Sequence, residues 1–112
     1  IVLDELAHED HPLIVKLAKD IDFITMGSPI THLYQEYFPG DYPPWTDTAF
    51  WQKLYGRLRR WRHFYRVDDF VGMSIEPPVQ HTVDFIQRGI GAGGHTNYWD
   101  DDRFMAFVHG LL

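Results

Sequence analysis

His95 closes a glycine run, Gly91-Ala92-Gly93-Gly94-His95-Thr96-Asn97-Tyr98-Trp99, and this stretch holds residue types that could do chemistry. Glycine takes positive φ without steric cost, so such a run turns sharply and carries the next side chain out on a loop. Imidazole has an unperturbed pKa near neutrality, which suits a general base. A glycine-rich turn with an incidental histidine accounts for the same residues.

Other candidates are weaker. His8 and His11, with Glu5 and Asp10 nearby, have a spacing at which a helix could present metal ligands, although a charged helix end explains them as well. His81, His95 and Asp100 could in principle form a histidine-carboxylate metal hydrolase, with weak spacing support. Asp100-Asp101-Asp102 beside Trp99 lack the glycine and distal glutamate of a calcium loop. They suit a helix N-terminus, where the dipole favours negative charge. Ser28 is followed directly by Pro29 and lacks the Gly-x-Ser-x-Gly setting of a strained nucleophile turn, so it reads as structural. No metal or cofactor is expected.

Composition bounds the class. The 112 residues are 45% hydrophobic and 16% aromatic, which fits one small folded domain and not a disordered tail. A net charge of -6 and a pI near 5.5 argue against bulk binding of nucleic acid. Without cysteine there are no disulfides or thiolate metal sites, and the redox compartment is left open, with the cytoplasm favoured. No apolar run approaches the roughly 20 residues of a membrane span, and no signal peptide is visible.

The elements that must position His95 follow from the pattern. Residues 1–9 read as a helix with Val2, Leu3, Leu6 and Ala7 on one face. No capping residue precedes it, so it reads as a helix whose start lies upstream, in a longer protein. Pro12 opens a second helix through Lys19. Asp20 to Met26 reads as a buried strand closed by Gly27-Ser28-Pro29, and 30–38 as a short helix or ordered loop. Residues 46–60 read as an aromatic helix, after the stiff connector Tyr42-Pro43-Pro44-Trp45.

A second strand runs from His63 to Val67 and ends at Asp68-Asp69-Phe70-Val71-Gly72. Pro77-Pro78 marks a loop, and a third strand centres on Val83-Asp84-Phe85-Ile86. Residues 100–112 form the last helix, with Phe104, Phe107, Val108 and Leu111 on its apolar face. This alternation is α/β, with about three strands and flanking helices, too few strands for a complete sheet. Arg57, Arg59, Arg60, Arg62 and Arg66 interleave with Trp61, Phe64 and Tyr65. They could contact phosphates or anionic lipid, or simply pair with the many carboxylates.

Three stretches together resemble the C-terminal half of an α/β-hydrolase of the lipase and esterase type. Phe23-Ile24-Thr25-Met26-Gly27-Ser28-Pro29 is similar to a late sheet strand of that family. Phe64-Tyr65-Arg66-Val67-Asp68-Asp69-Phe70-Val71-Gly72 resembles the next strand, whose following loop carries the catalytic acid. Gly94-His95-Thr96-Asn97-Tyr98-Trp99 resembles the loop with the catalytic histidine. The acid precedes the histidine, as in the family's order.

The resemblance implies that residues 1–112 are the C-terminal portion of one hydrolase domain, with 39–62 as a lid or cap. It implies a nucleophilic serine a few residues before Ile1, since this chain has no Gly-x-Ser-x-Gly turn. His95 would take the serine proton, and Asp69 would hold the other ring nitrogen, with Asp68 in that role if the strand ends one residue earlier. The implied substrate is an ester or other acyl compound, including a lipid. Alone, the chain is expected to be inactive and poorly stable, persisting beside the missing half or as an oligomer. The alternative is a non-catalytic module of the same fold, used for protein or anionic-lipid contact, including contact with a membrane surface, through the arginine-aromatic segment.

Overall fold

The structure, a computed structural model, describes residues 2–75 and 84–111. His81, Pro77-Pro78 and Val83 lie outside them. Helices α1 (Val2–His8) and α2 (Pro12–Ala18) lead into strand β1 (Asp22–Met26). A π-helical turn, Ile30–Tyr34, continues into α3 (Gln35–Tyr37), followed by α4 (Thr48–Tyr55) and β2 (Arg60–Tyr65). After β3 (Asp84–Gly89), a 3-10 turn at Tyr98–Asp100 precedes α5 (Asp102–Leu111).

Local chemistry sets most boundaries. Pro12 begins α2, and the His11 ring accepts from the Leu13 N–H at 3.3 Å. Asp47 caps α4 by accepting from Phe50 N at 3.3 Å, and Gly56 closes it. This helix is shorter than the aromatic periodicity predicts. Arg60 and Trp61 pair with Asp22 and Phe23 in a sheet, and that pairing draws them out of the helix into β2. The second strand accordingly starts at Arg60, not at His63.

The strands form one parallel sheet in the order β1-β2-β3. Side chains alternate between its faces. Phe23, Trp61 and Phe85 point to one face, where the Phe23 and Trp61 rings lie 5.8 Å apart and those of Trp61 and Phe85 5.3 Å apart. They join Ala7 of α1 and Trp51, Leu54 and Tyr55 of α4 in the larger core. Ile24, Met26 and Phe64 point to the other face, packed with Phe104, Phe107 and Val108 of α5. Helices on both faces of a parallel sheet define an α/β fold.

Segment 39–62 turns its aromatic side chains inward, with Tyr42, Trp51, Tyr55 and Trp61 buried in the core. Most of the arginine cluster pairs with carboxylates. Arg57 reaches Asp10 at 2.9 Å, Arg59 and Arg60 both reach Asp22, and Arg66 reaches Asp101 at 2.9 Å. No helix among the described residues is long and apolar enough to cross a membrane.

Candidate active site

In an open parallel sheet, ligands gather at the carboxyl ends of the strands, where the loops converge. Here the three strand ends are tied together by backbone bonds: Gly27 N donates to Phe64 O at 2.9 Å, Ile90 N to Tyr65 O at 2.9 Å, and Val67 N to Gly91 O at 3.2 Å. The loop after β2 therefore lies against both the end of β1 and the glycine run after β3. Gly72 rests directly on the Gly27 backbone, where a Cβ would overlap it. This close approach explains the glycine that ends the stretch from Asp68.

Asp69 sits at the centre. It is 1% exposed, and four neighbours donate to its carboxylate. Val71 N and Gly72 N reach Oδ1 at 3.1 and 2.9 Å, the Tyr98 hydroxyl reaches Oδ2 at 2.8 Å, and His95 Nδ1 lies 3.0 Å from both oxygens. Burial by itself raises the Asp69 carboxyl. The Gly72 amide, the His95 ring and the Tyr98 hydroxyl outweigh it and hold the group below the ordinary aspartate range.

An ionised carboxylate only accepts, so the proton between the two residues belongs on Nδ1 of His95. Nε2 is then the basic nitrogen, and no described residue bonds to it. The His95 side chain is 47% exposed, so this nitrogen belongs to a side chain that solvent reaches. A buried acid behind an accessible imidazole can orient the ring, fix its tautomer and stabilise its charged form.

Asp68, the alternative acid, has different partners, and the described bonds of the His95 ring go to Asp69. Asp68 is exposed and accepts from Gly93 N at 2.9 Å and Gly94 N at 3.0 Å. The Gly94 amide, then that of Gly93, hold its carboxyl below the ordinary range. Two successive amides converging on one carboxylate require unusual backbone angles, here φ of 152° at Gly93 and 67° at Gly94.

Two site residues lay in sequence stretches with no role of their own. Arg66, within the basic cluster, is buried and donates to Gly93 O at 2.9 Å, Gly94 O at 3.1 Å, Asn97 O at 3.3 Å and the Thr96 carbonyl. Its Nε is buried with no partner among the described residues. Tyr98, within the histidine loop, lies beneath it, with the guanidinium carbon 4.4 Å from the ring centroid. Burial, then the bond to Asp69, push the Tyr98 hydroxyl above its usual range, so it stays a donor. Their only sequence signal is position: Arg66 stands three residues before Asp69, and Tyr98 three after His95.

The remaining candidates do not join this cluster. Among the described residues no group of three His, Cys, Asp or Glu is placed to hold a metal ion. His8 packs near Phe50, with the rings 6.2 Å apart, and the His11 ring caps α2. Asp100 lies in the 3-10 turn, and Ser28 is half-buried in the turn after β1. No protein-family model matches the chain, nor does any curated protein or solved structure.

Proposed function

We propose that this chain carries the histidine and the acid of a serine hydrolase acting on an ester or other acyl substrate. The observation that carries this reading is the Asp69–His95 pair, 3.0 Å apart on the loops that follow neighbouring parallel strands. His95 Nε2 would take the proton of an attacking serine and return it to the leaving group. Asp69 would hold Nδ1–H and stabilise the imidazolium formed in between. The serine and the amides that bind the oxyanion would come from a segment upstream of Ile1, on a Gly-x-Ser-x-Gly turn.

The test is fluorophosphonate labelling of the protein together with the residues that precede Ile1. One covalent adduct, abolished by His95→Ala, supports the proposal. A folded protein that takes no adduct sinks it.

A second reading, a non-catalytic module for protein contact, draws on α2. Leu13 and Leu17 are 65% and 61% exposed, beside an apolar groove of about 490 Å³ lined by Leu6, Ile14, Ile21 and Phe23. Anionic lipid has less support as the partner, because Arg57, Arg59, Arg60 and Arg66 are paired with Asp10, Asp22 and Asp101.

A further inference from the structure

A histidine on a glycine-rich loop poses a physical problem. Gly91, Gly93 and Gly94 all have positive φ, and Asn97 joins them at 62°. Such a backbone has much conformational freedom to lose on folding. Among the described residues the one side-chain anchor of His95 is Asp69, so its ring stays in register only if the main chain around it is held by something else.

We propose that Arg66 is the positioning residue for His95, acting with Tyr98. The catalytic consequence rests on the reading of Asp69 and His95 as a hydrolase pair; the positioning itself does not. The guanidinium donates to the carbonyls of Gly93 and Gly94 before His95, and to those of Thr96 and Asn97 after it. It thus brackets the histidine. Asp68, two residues further along the same strand end, takes the amides of Gly93 and Gly94. The two side chains therefore grip opposite poles of the same short backbone stretch.

Asp101 is buried beside Arg66, 2.9 Å from Nη2, and balances its charge. Arg103 in turn ties Asp101 to the Ala92 carbonyl, at 2.6 Å and 3.0 Å. The circuit then closes through Tyr98. Its ring supports the guanidinium, and its hydroxyl donates to Asp69 at 2.8 Å. One unit thus fixes the loop of the histidine and the carboxylate it faces.

Lysine cannot replace this arginine. The planar fork presents five donors in fixed directions, whereas an ammonium presents three from a single point. Arg66→Lys keeps the charge near Asp101 and loses the bracket.

The first experiment is proton NMR of the protein together with the residues that precede Ile1, following the far-downfield Nδ1–H resonance of His95, assigned by its loss in His95→Ala. Arg66→Lys is expected to keep a dispersed amide spectrum and lose that resonance to exchange. An unchanged resonance in Arg66→Lys overturns the proposal. Should Arg66→Lys unfold, Tyr98→Phe decides, because it removes a single oxygen. A shifted resonance upholds the circuit, and an unmoved one overturns it. No such resonance in the wild-type chain overturns the geometry on which both proposals stand.

The second experiment uses the protein with its upstream segment and an activated ester. Arg66→Lys should lower kcat about 100-fold with KM nearly constant, the cost of a misplaced reacting group. Added guanidinium should restore part of the rate of Arg66→Ala, where added ammonium does not. Full kcat in Arg66→Lys overturns the positioning role. A wild-type protein without fluorophosphonate adduct sinks the hydrolase reading alone and leaves the resonance experiment to judge Arg66.

Discussion

The two ends of the sheet are built on opposite principles. At the carboxyl end most buried polar groups have partners: Asp69 receives four donors, Arg66 spans four carbonyls and pairs with Asp101, although its Nε is left over, and the exposed Asp68 takes two amides. At the other end, Ile21 leads into β1 and lies beside α2, which leaves Leu13, Ile14 and Leu17 in solvent. A matched buried network is costly to disturb, because each orphaned partner keeps its desolvation penalty. An exposed apolar face is cheap to change and gains only when something covers it. The contrast separates a region whose side chains hold one another in place from one that leaves apolar side chains in solvent.

The comparison breaks most visibly at the acid. With the nucleophile present, Asp69→Asn should lower kcat about 10⁴-fold, since the amide can donate to Nδ1 and force the proton onto Nε2. Asp68→Asn keeps an oxygen for the two glycine amides, and its loss should stay within about tenfold. Similar losses from both would erase the distinction between the residue that holds the ring and the residue that holds the loop.

Gly72→Ala comes next. A Cβ there overlaps the Gly27 backbone, so the two strand ends must separate, at a cost of about 3 kcal/mol in urea unfolding. A stability within error of wild type would mean that the contact gives way easily and that the carboxyl end is looser than its hydrogen bonds suggest.

A smaller effect sharpens the picture beneath the acid. His63 is fully buried between Thr25 Oγ1 at 2.9 Å and the Met73 carbonyl at 3.0 Å. The carbonyl only accepts, so Nε2 carries the proton and Nδ1 accepts from Thr25, whose oxygen takes the Trp61 N–H. Burial depresses the His63 pKa, so the folded chain favours the neutral ring. As pH falls below the ordinary value of 6.5, the unfolded chain binds the proton first and stability declines; above it this contribution is flat. Denaturation midpoints between pH 7 and pH 5 should fall in the wild type and fall less in His63→Gln. Parallel curves would remove His63 from the account.

The smallest expected effect lies at the opposite end. Leu13→Ser with Leu17→Ser should leave stability within about 0.5 kcal/mol. Sedimentation should show less self-association at high concentration. A larger loss of stability would show that α2 already packs against something in the isolated chain.

Local pattern made much of the fold legible. Pro12, Gly27 and the apolar periodicity of residues 102–111 punctuate the elements, and the structure places α2, β1 and α5 within a few residues of those signals. The aromatic stretch from Trp51 to Trp61 was harder. Both its helical and its strand portions are buried on the same side of the sheet, so hydrophobicity alone runs through the boundary at Tyr55. Pairing with β1 decided it.

The glycine run and the type of residue that follows it were determined by sequence alone, because positive φ is a local steric demand. The resemblance to the hydrolase family narrowed the candidate acid to two adjacent aspartates. Which of them faces the histidine was decided only by tertiary structure. Neighbouring side chains near a strand end point in opposite directions, and a shift of one residue exchanges their roles. The same holds for Arg66. Its partners lie 27 to 35 residues away, and no local pattern distinguishes an arginine that spans four carbonyls from one that pairs on the surface.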